Sequence, residues 1–228
     1  MQRFASFFLS VFLLSTCQSF ARNLEYENSC KEWVLCFQPS IPGWCSKTKC
    51  VAMMDLIFKV RPDVCVEIGV YGGASLFPTA IALKYLNQGI VYGIDPWDVR
   101  ECIKYYPEGS PHKGWWGTID MNAMYQSTMN LIKTHELEKK CLILRMTSEE
   151  AAPCIQEIDV LHVDGNHCDE ADLIHLSYYL PKVKVGGYIW FDGWCTSPKA
   201  YEYVKKTCYI RKVLDSGNCI LLEKICSE

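Results

Sequence analysis

Residues 64–75 read VCVEIGVYGGAS, a short apolar run that leads into a cluster of glycines. The apolar half predicts a buried strand over Val64–Ile68, and the apolar spacing that follows predicts a helix over Ser75–Leu86. Glycines in such a turn let the backbone pass close beneath a ligand, and the next helix presents its N-terminus there. We therefore expect a ligand at this turn, with a tight turn that binds nothing as the alternative.

The residues around this turn indicate which ligand it holds. Gly73 directly follows Gly72, so the spacing departs from the G-x-G-x-x-G pattern of dinucleotide sites and disfavours a nicotinamide oxidoreductase. Asp95 ends the next predicted strand, where an acidic residue can accept hydrogen bonds from both hydroxyls of a ribose. A turn aspartate before Pro96 is the alternative. Together the turn and Asp95 predict a cofactor that contains a nucleoside.

Strands and helices alternate along the rest of the chain. The predicted helices are Lys47–Lys59, Ser75–Leu86, Asp120–His135, Glu149–Cys154, Glu170–Leu180 and Ser197–Lys206. The predicted strands are Val64–Ile68, Ile90–Ile94, Leu142–Arg145, Asp159–Val163 and Gly187–Phe191. Two more strands, Tyr209–Leu214 and Cys219–Leu222, flank residues 215–218, where glycine and asparagine are expected to adopt positive φ. We therefore predict a doubly wound, Rossmann-like α/β domain with a mostly parallel seven-stranded sheet that ends in an antiparallel hairpin.

Composition excludes several classes of protein. The chain has 228 residues, of which 50% are hydrophobic and 21% charged, with a net charge of −3, which is typical of one globular domain. No basic stripe is present, so a nucleic-acid partner is not expected. The expected partner is a small-molecule acceptor, and a homo-oligomer stays open.

The N-terminus has the three parts of a secretory signal peptide. Met1–Arg3 carries a charge, Phe4–Leu14 is apolar, and Ser19–Ala21 has small residues at both ends. Polar residues after Leu14 leave the apolar run too short for a stable membrane span. We expect residues 1–21 to direct export, whereas the protein is cytoplasmic if the signal does not function; a lipid anchor at Cys17 is a weaker alternative. The predicted domains are this signal, a Cys- and Trp-containing segment with the first helix at 22–60, and the main domain at 61–228.

Cysteine is abundant, with 14 residues in the chain. Cys30, Cys36, Cys45 and Cys50 cluster in the N-terminal segment, where disulfides could pin a region too short for its own core. Cysteines inside predicted strands are expected to be small buried hydrophobes.

Four segments carry a resemblance to a known family: VEIGVYGG at 66–73, YGID at 92–95, HVDGNH at 162–167 and GGYIWFD at 186–192. They resemble the class I S-adenosylmethionine-dependent methyltransferases, and within these the branch of catechol and macrocin-type O-methyltransferases. The resemblance covers roughly residues 43–223. It implies contacts to S-adenosylmethionine from Glu67, Gly69, Tyr71, Gly73, Ser75, Asp95, Ser148 and Glu149.

The same resemblance implies a magnesium ion on Asp164 and Asp192, with His167 where the catechol enzymes keep a general base. Two carboxylates at neighbouring strand ends can hold a hard divalent cation that lowers the pKa of the attacked hydroxyl. That branch usually has another Asp or Asn after the second aspartate, and here Gly193 stands there. His167 is therefore either the base or a replacement metal ligand.

The expected function is S-adenosylmethionine-dependent, metal-assisted methyl transfer to a hydroxyl oxygen of a small molecule or sugar. The alternative is an exported, non-catalytic domain that binds S-adenosylmethionine and has lost its chemistry. Convergence of Asp164, His167 and Asp192 beside the cofactor cleft favours the enzyme, and scattered positions favour the alternative. His162 and His175 are expected to be packing residues. The tryptophans at 97, 115, 116 and 194 are interpreted as a satellite core rather than an acceptor pocket.

Overall fold

The computed structural model describes residues 24–227. The helices of this part are α1 over residues 24–37, α2 Lys47–Val60, α3 Leu76–Leu86, α4 Val99–Ile103, α5 Pro111–Trp116, α6 Met121–Thr134, α7 Ser148–Ala151, α8 Asp169–Tyr179 and α9 Pro198–Val204. The strands are β1 Val64–Ile68, β2 Ile90–Ile94, β3 Cys141–Leu144, β4 Ile158–Val163, β5 Val183–Asp192, β6 Cys208–Leu214 and β7 Cys219–Lys224.

The seven strands form one sheet in the order β3-β2-β1-β4-β5-β7-β6. Strands β1 to β5 pair in parallel, and β7 pairs antiparallel with both β5 and β6. The predicted Rossmann-like fold with a terminal hairpin is confirmed. The strand order reverses at β1 and β4, so the carboxyl ends of these two strands form the crevice where ligands bind in open α/β sheets.

Strand β5 is longer than its sequence pattern indicates. The prediction began at Gly187, yet the strand begins at Val183 and contains Gly186 at φ +83°. Its pairing with β4 shifts register between Ile158 and Val160, which is typical of a bulge. Because this bulge interrupts the alternation of buried and exposed residues, the sequence pattern did not predict the first half of the strand.

The β6–β7 turn differs from the prediction that glycine and asparagine adopt positive φ. Gly217 has φ +95°, as predicted, but the second residue with positive φ is Asp215 at φ +51°, whereas Asn218 has φ −79°. Aspartate tolerates this region because its short polar side chain bonds locally. Here the carboxylate of Asp215 accepts a short hydrogen bond from the hydroxyl of Ser46, which precedes α2.

Two apolar cores cover the two faces of the sheet. Cys65 and Cys141 are 2% and 3% exposed and pack as small hydrophobes, as predicted. No disulfide joins any two of the thirteen cysteines in residues 24–227, so the disulfides considered for the N-terminal segment are not present there. Aromatic packing holds this segment instead, since the ring of Phe37 lies 5.4 Å from Phe77 and 4.6 Å from His135.

Among residues 24–227, no helix combines the length and the apolar character needed to cross a membrane. The predicted signal peptide at 1–21 lies outside the described residues.

Candidate functional site

A cavity of about 1110 Å³ opens at the carboxyl ends of β1, β2, β4 and β5. Its volume accommodates a nucleoside cofactor together with a small acceptor. Nine of the eleven predicted site residues line it: Gly69, Tyr71, Ser75, Asp95, Ser148, Glu149, Asp164, His167 and Asp192. The two others, Glu67 and Gly73, lie outside its wall. The sequence motifs therefore come together on one surface.

The turn after β1 packs directly against the loop after β4. Gly69 has φ +87°, and a Cβ atom there would lie 2.1 Å from the carbonyl oxygen of Asp164. Only glycine fits such an approach. The turn is thereby held at the crevice between β1 and β4, where the cofactor was predicted.

Asp95 fixes this turn from the neighbouring strand. Its carboxylate accepts hydrogen bonds from the backbone N–H groups of Val70 at 3.0 Å, Tyr71 at 2.9 Å and Trp97 at 2.7 Å. Burial raises the pKa of Asp95 although these hydrogen bonds oppose the shift. A carboxylate has about four acceptor positions, so room for a ribose hydroxyl remains and the ribose role stays a prediction.

Glu67 acts from beneath the cavity. It is 1% exposed, and its Oε1 accepts a hydrogen bond of 2.8 Å from the hydroxyl of Ser75, which lines the cavity. Its Oε2 lies 3.1 Å from Nδ1 of His162 in β4. Glu67 would therefore act on a cofactor only indirectly, through the hydroxyl of Ser75.

Ser148 and Glu149, two of the expected cofactor contacts, lie beside a partly buried histidine. Ser148 donates a hydrogen bond of 2.9 Å to Glu149, and its hydroxyl oxygen lies 2.8 Å from Nδ1 of His175. Burial lowers the pKa of His175 to about 4, so the ring is neutral at pH 7. His175, interpreted from the sequence as a packing residue, thus also orients a side chain that lines the cavity.

A buried lysine lies between the two predicted metal ligands. The side chain of Lys49, in the first turn of α2, is 1% exposed. Its Nζ is 2.8 Å from Oδ2 of Asp192 and 3.3 Å from Oδ2 of Asp164. Burial acts to lower the pKa of Lys49, but the two carboxylates outweigh it and raise the pKa well above its usual value. Lys49 is therefore a cation inside the acidic site.

His162 extends this cluster to Glu67. It is 3% exposed, and its Nε2 lies 2.8 Å from Oδ2 of Asp192. Burial and the charge of Lys49 act to lower the pKa of His162, but the carboxylates of Glu67 and Asp192 outweigh them and raise it to about 9. His162 is buried, as expected of a packing residue, and it also bridges the carboxylates of Glu67 and Asp192.

His167 stands at the exposed end of the same cluster. Its side chain is 38% exposed, and its Nε2 lies 3.6 Å from Oδ1 of Asp164. Gly193 follows β5 at φ +64°, and a Cβ atom there would lie 2.4 Å from Cγ of His167. Asp164, His167 and Asp192 therefore converge beside the cleft.

The donor set fits a divalent cation poorly. His162, Asp164 and Asp192 each offer one ligand atom, and these atoms lie within 4.8 Å of one another. However, the ammonium group of Lys49 already contacts both carboxylates, and His167 fills the space of a side chain at Gly193. The predicted magnesium site does not match this arrangement.

The aromatic residues divide into two groups. Trp115 and Trp116 line the cavity, next to Trp44, whose ring stacks at 5.5 Å on Tyr71. Trp97 is 3% exposed and donates a hydrogen bond of 2.8 Å to the carbonyl of Tyr71. The core interpretation therefore holds for Trp97, whereas Trp115 and Trp116 form part of the cavity wall.

Lys49 is a site residue that the sequence interpretation did not consider, whereas His162 and His175 were considered only for packing. Lys49 is separated from Asp164 and Asp192 by 115 and 143 residues, and within α2 it looks like an ordinary surface lysine. Only the packing of α2 against the strand ends brings the three together.

Comparisons with known proteins agree with this geometry. A family described as "Methyltransferase domain" matches residues 66–194. The sequence matches none of the curated proteins with which it was compared.

Several solved structures share the fold at low identity. An O-methyltransferase from Bacillus cereus, solved with S-adenosylhomocysteine, is 16% identical, covers 87% of this chain and 91% of its own, and has a TM-score of 0.58. The O-methyltransferase TomG from Streptomyces achromogenes, in complex with S-adenosylmethionine, is 14% identical over 81% of this chain and 82% of its own, with a TM-score of 0.58. The O-methyltransferase NovP is 17% identical; the match covers 79% of this chain and 81% of NovP, with a TM-score of 0.62.

The family match spans more than half of the chain and contains the glycine turn, Asp95 and the Asp164–His167 segment. The chain therefore belongs to the methyltransferase-domain family and has the fold of the class I S-adenosylmethionine-dependent methyltransferases.

Proposed function

We propose that this protein transfers a methyl group from S-adenosylmethionine to a hydroxyl oxygen of a small molecule or sugar. One observation carries the proposal: a single cavity joins the glycine turn and Asp95 to the paired side chains of Asp164 and His167. A methyl donor and its acceptor must be held together in this way, because proximity and alignment supply a large part of the rate.

The cofactor half of the cavity would hold S-adenosylmethionine, which supplies a methyl group on a positively charged sulfur. Gly69, Tyr71 and Ser75 would border its methionine portion, and Asp95 would accept hydrogen bonds from its ribose. Ser148 and Glu149, at the far end, would border the adenine. These roles follow from the family resemblance, and the cavity-lining positions support them.

The acceptor half supplies a base. His167 is accessible from the cavity, and its imidazole can take the proton of the acceptor hydroxyl as the oxygen takes the methyl group. Asp164, 3.6 Å away, then stabilises the protonated ring. General-base catalysis of this kind contributes about 10²–10⁴-fold to the rate.

The aromatic wall supports an acceptor that contains a ring. Trp44, Tyr71, Trp115 and Trp116 lie in contact with one another along the cavity, and their faces can pack on a flat or sugar ring while excluding water. The convergence of Asp164, His167 and Asp192 supports an enzyme over the non-catalytic alternative.

The test is transfer of a labelled methyl group. The purified full chain is incubated with S-adenosylmethionine labelled on the methyl group and with a panel of catechols, simple phenols and sugars. We expect label in at least one hydroxyl-bearing compound and none in a matched compound that has lost its hydroxyl. Absence of label from every hydroxyl-bearing compound, or equal labelling of the matched compounds that lack the hydroxyl, would contradict the proposal.

Export of the protein is also proposed, on the signal-like pattern of residues 1–21. Mass spectrometry of the protein from its native cells should find a chain that begins at Arg22. An intact N-terminus in the cytoplasmic fraction would contradict export.

A further inference from the structure

Lys49 is held at its position by its backbone as well as by its charge. Ser46 caps α2 by accepting a hydrogen bond of 3.0 Å from the N–H group of Lys49, and the same hydroxyl donates to Asp215 in the hairpin turn. The first turn of α2 is thereby tied to the β6–β7 turn, whose Asp215 lines the same cavity. Lysine is almost never fully buried unless it is paired, and Lys49 is paired with two carboxylates.

These carboxylates are the ones on which the family resemblance implies a divalent metal. Magnesium takes oxygen ligands at about 2.0–2.1 Å in a near-octahedral arrangement, so an ion on the oxygen atoms that already contact an ammonium group would lie close to a like charge and be repelled. Lys49 contacts Oδ2 of both Asp164 and Asp192, and His162 contacts Oδ2 of Asp192 from another side. A metal on these oxygens would have to displace a buried cation.

The expected third ligand is excluded by a separate feature. Gly193 stands where that branch has Asp or Asn, and His167 lies so close that a Cβ atom would meet its ring at 2.4 Å. A carboxylate or amide at position 193 would require the proposed base to move. Two independent features therefore differ from a metal site. Lys49 occupies the place of the ion, and the imidazole of His167 fills the space of the third ligand.

We propose that Lys49 is the resident cation of this site: its ammonium group stands where a divalent metal would bind, so the cleft binds no divalent cation and methyl transfer needs none. The statement about transfer rests on the proposed function, whereas the statement about binding does not. Lys49 does not line the cavity, so it is a positioning residue. It fixes Asp164 and Asp192 from below, which leaves Oδ1 of Asp164 facing His167.

The experiment measures metal binding rather than activity. The full chain is freed of metals with EDTA, desalted and titrated with MnCl₂, with and without S-adenosylhomocysteine, while the resonance signal of free Mn²⁺ is recorded. We expect the wild type to leave the Mn²⁺ signal unchanged. One bound Mn²⁺ per wild-type chain that Asp164→Asn abolishes would overturn the proposal.

Variants provide the reverse test. Lys49→Met removes the ammonium group and is expected to gain one Mn²⁺ site per chain, which the further change Asp164→Asn should remove. A folded Lys49→Met variant that gains no site would count against the proposal. Lys184→Met, which breaks a surface pair with Asp159, is the matched control and should gain nothing.

The remaining arms keep the result decisive. Lys49→Arg keeps the positive charge and should bind no Mn²⁺, and a site in that variant would contradict the proposal. If Lys49→Met does not fold, the wild-type titration still decides. Heat of S-adenosylhomocysteine binding is recorded separately, so failure of the cofactor assignment is distinguishable from failure of this inference.

Discussion

A Cβ atom at Gly193 would lie 2.4 Å from Cγ of His167, so the imidazole fills the space that any side chain at position 193 would need. Gly193, which directly follows β5, and His167, in the loop after β4, are therefore matched to each other. Glycine at 193 is required by the position of the proposed base.

Gly193→Ala should consequently reduce turnover at least about tenfold, because displacing His167 forfeits part of the ~10²–10⁴-fold contribution of a general base. Binding of S-adenosylhomocysteine should be little changed. Gly186→Ala is the control, since Gly186 also has positive φ, at +83°, but no atom lies within 4 Å of its Cβ position. Both variants carry left-handed strain of about 1–2 kcal/mol. Equal turnover in the two variants would refute the steric account.

His167→Asn should lower turnover by about 10²–10⁴-fold while the cofactor still binds, because only the proton acceptor is removed. His112→Asn serves as the control, because His112 lines the same cavity and stacks on Tyr106 at 5.5 Å. Rates are measured at saturating S-adenosylmethionine. Wild-type turnover in His167→Asn, equal to that of the His112→Asn control, would show that His167 is not the base.

Asp95→Asn should weaken binding of both S-adenosylmethionine and S-adenosylhomocysteine. One carboxylate oxygen becomes an NH₂ group that faces backbone N–H donors, and an unsatisfied buried group costs about 1–3 kcal/mol. The melting temperature should fall as well. In the control Asp98→Asn, the residue remains a good cap for α4, so both measurements should stay near wild type. Unchanged cofactor affinity in Asp95→Asn would remove Asp95 from the site.

Asp172 should make stability depend on pH. Burial raises its pKa to about 8, although the Ser197 hydroxyl opposes the shift, and its Oδ1 has no hydrogen-bond partner in the described part. Three nearby carboxylates add to the shift: Asp164, Asp169 and Asp192. The folded state therefore keeps a proton that the unfolded chain loses near pH 3.9, a typical value for aspartate.

The stabilisation from this proton is complete below the unfolded pKa and is lost as the pH rises towards about 8. The free energy of unfolding should fall by up to about 1.4 kcal/mol per pH unit in that window. Asp172→Asn should remove this slope, as measured by urea unfolding between pH 5 and 8. Parallel curves for the variant and the wild type would show that Asp172 is ionised in the folded protein.

The sequence predicted the fold well wherever local pattern and tertiary environment agree. Strands β1 and β2 begin and end at the predicted residues, because short apolar runs bounded by glycine or proline have few other solutions. β5 was predicted too short because a bulge at Gly186 breaks its regularity. The β6–β7 turn used Asp215 rather than Asn218, since a contact with distant Ser46 stabilises the aspartate.

The sequence predicted most residues that line the candidate site, but it did not predict the charged partners of the site's carboxylates. Glycine turns and strand-end acids are local signals, and the cavity gathers most of them. The partners of those acids come from elsewhere in the chain: Lys49 from α2 and His162 from within β4. Charge state in a buried cluster depends on such distant contacts, so no motif could have shown that a lysine replaces the expected metal.

The most direct test of the central claim is calorimetric titration of the full wild-type chain with S-adenosylhomocysteine in the presence of EDTA. A cleft built by Gly69, Asp95 and Ser148 for this class of cofactor should bind one molecule per chain without added metal. Absence of any binding heat, confirmed by an unchanged melting temperature at excess ligand, would contradict the account.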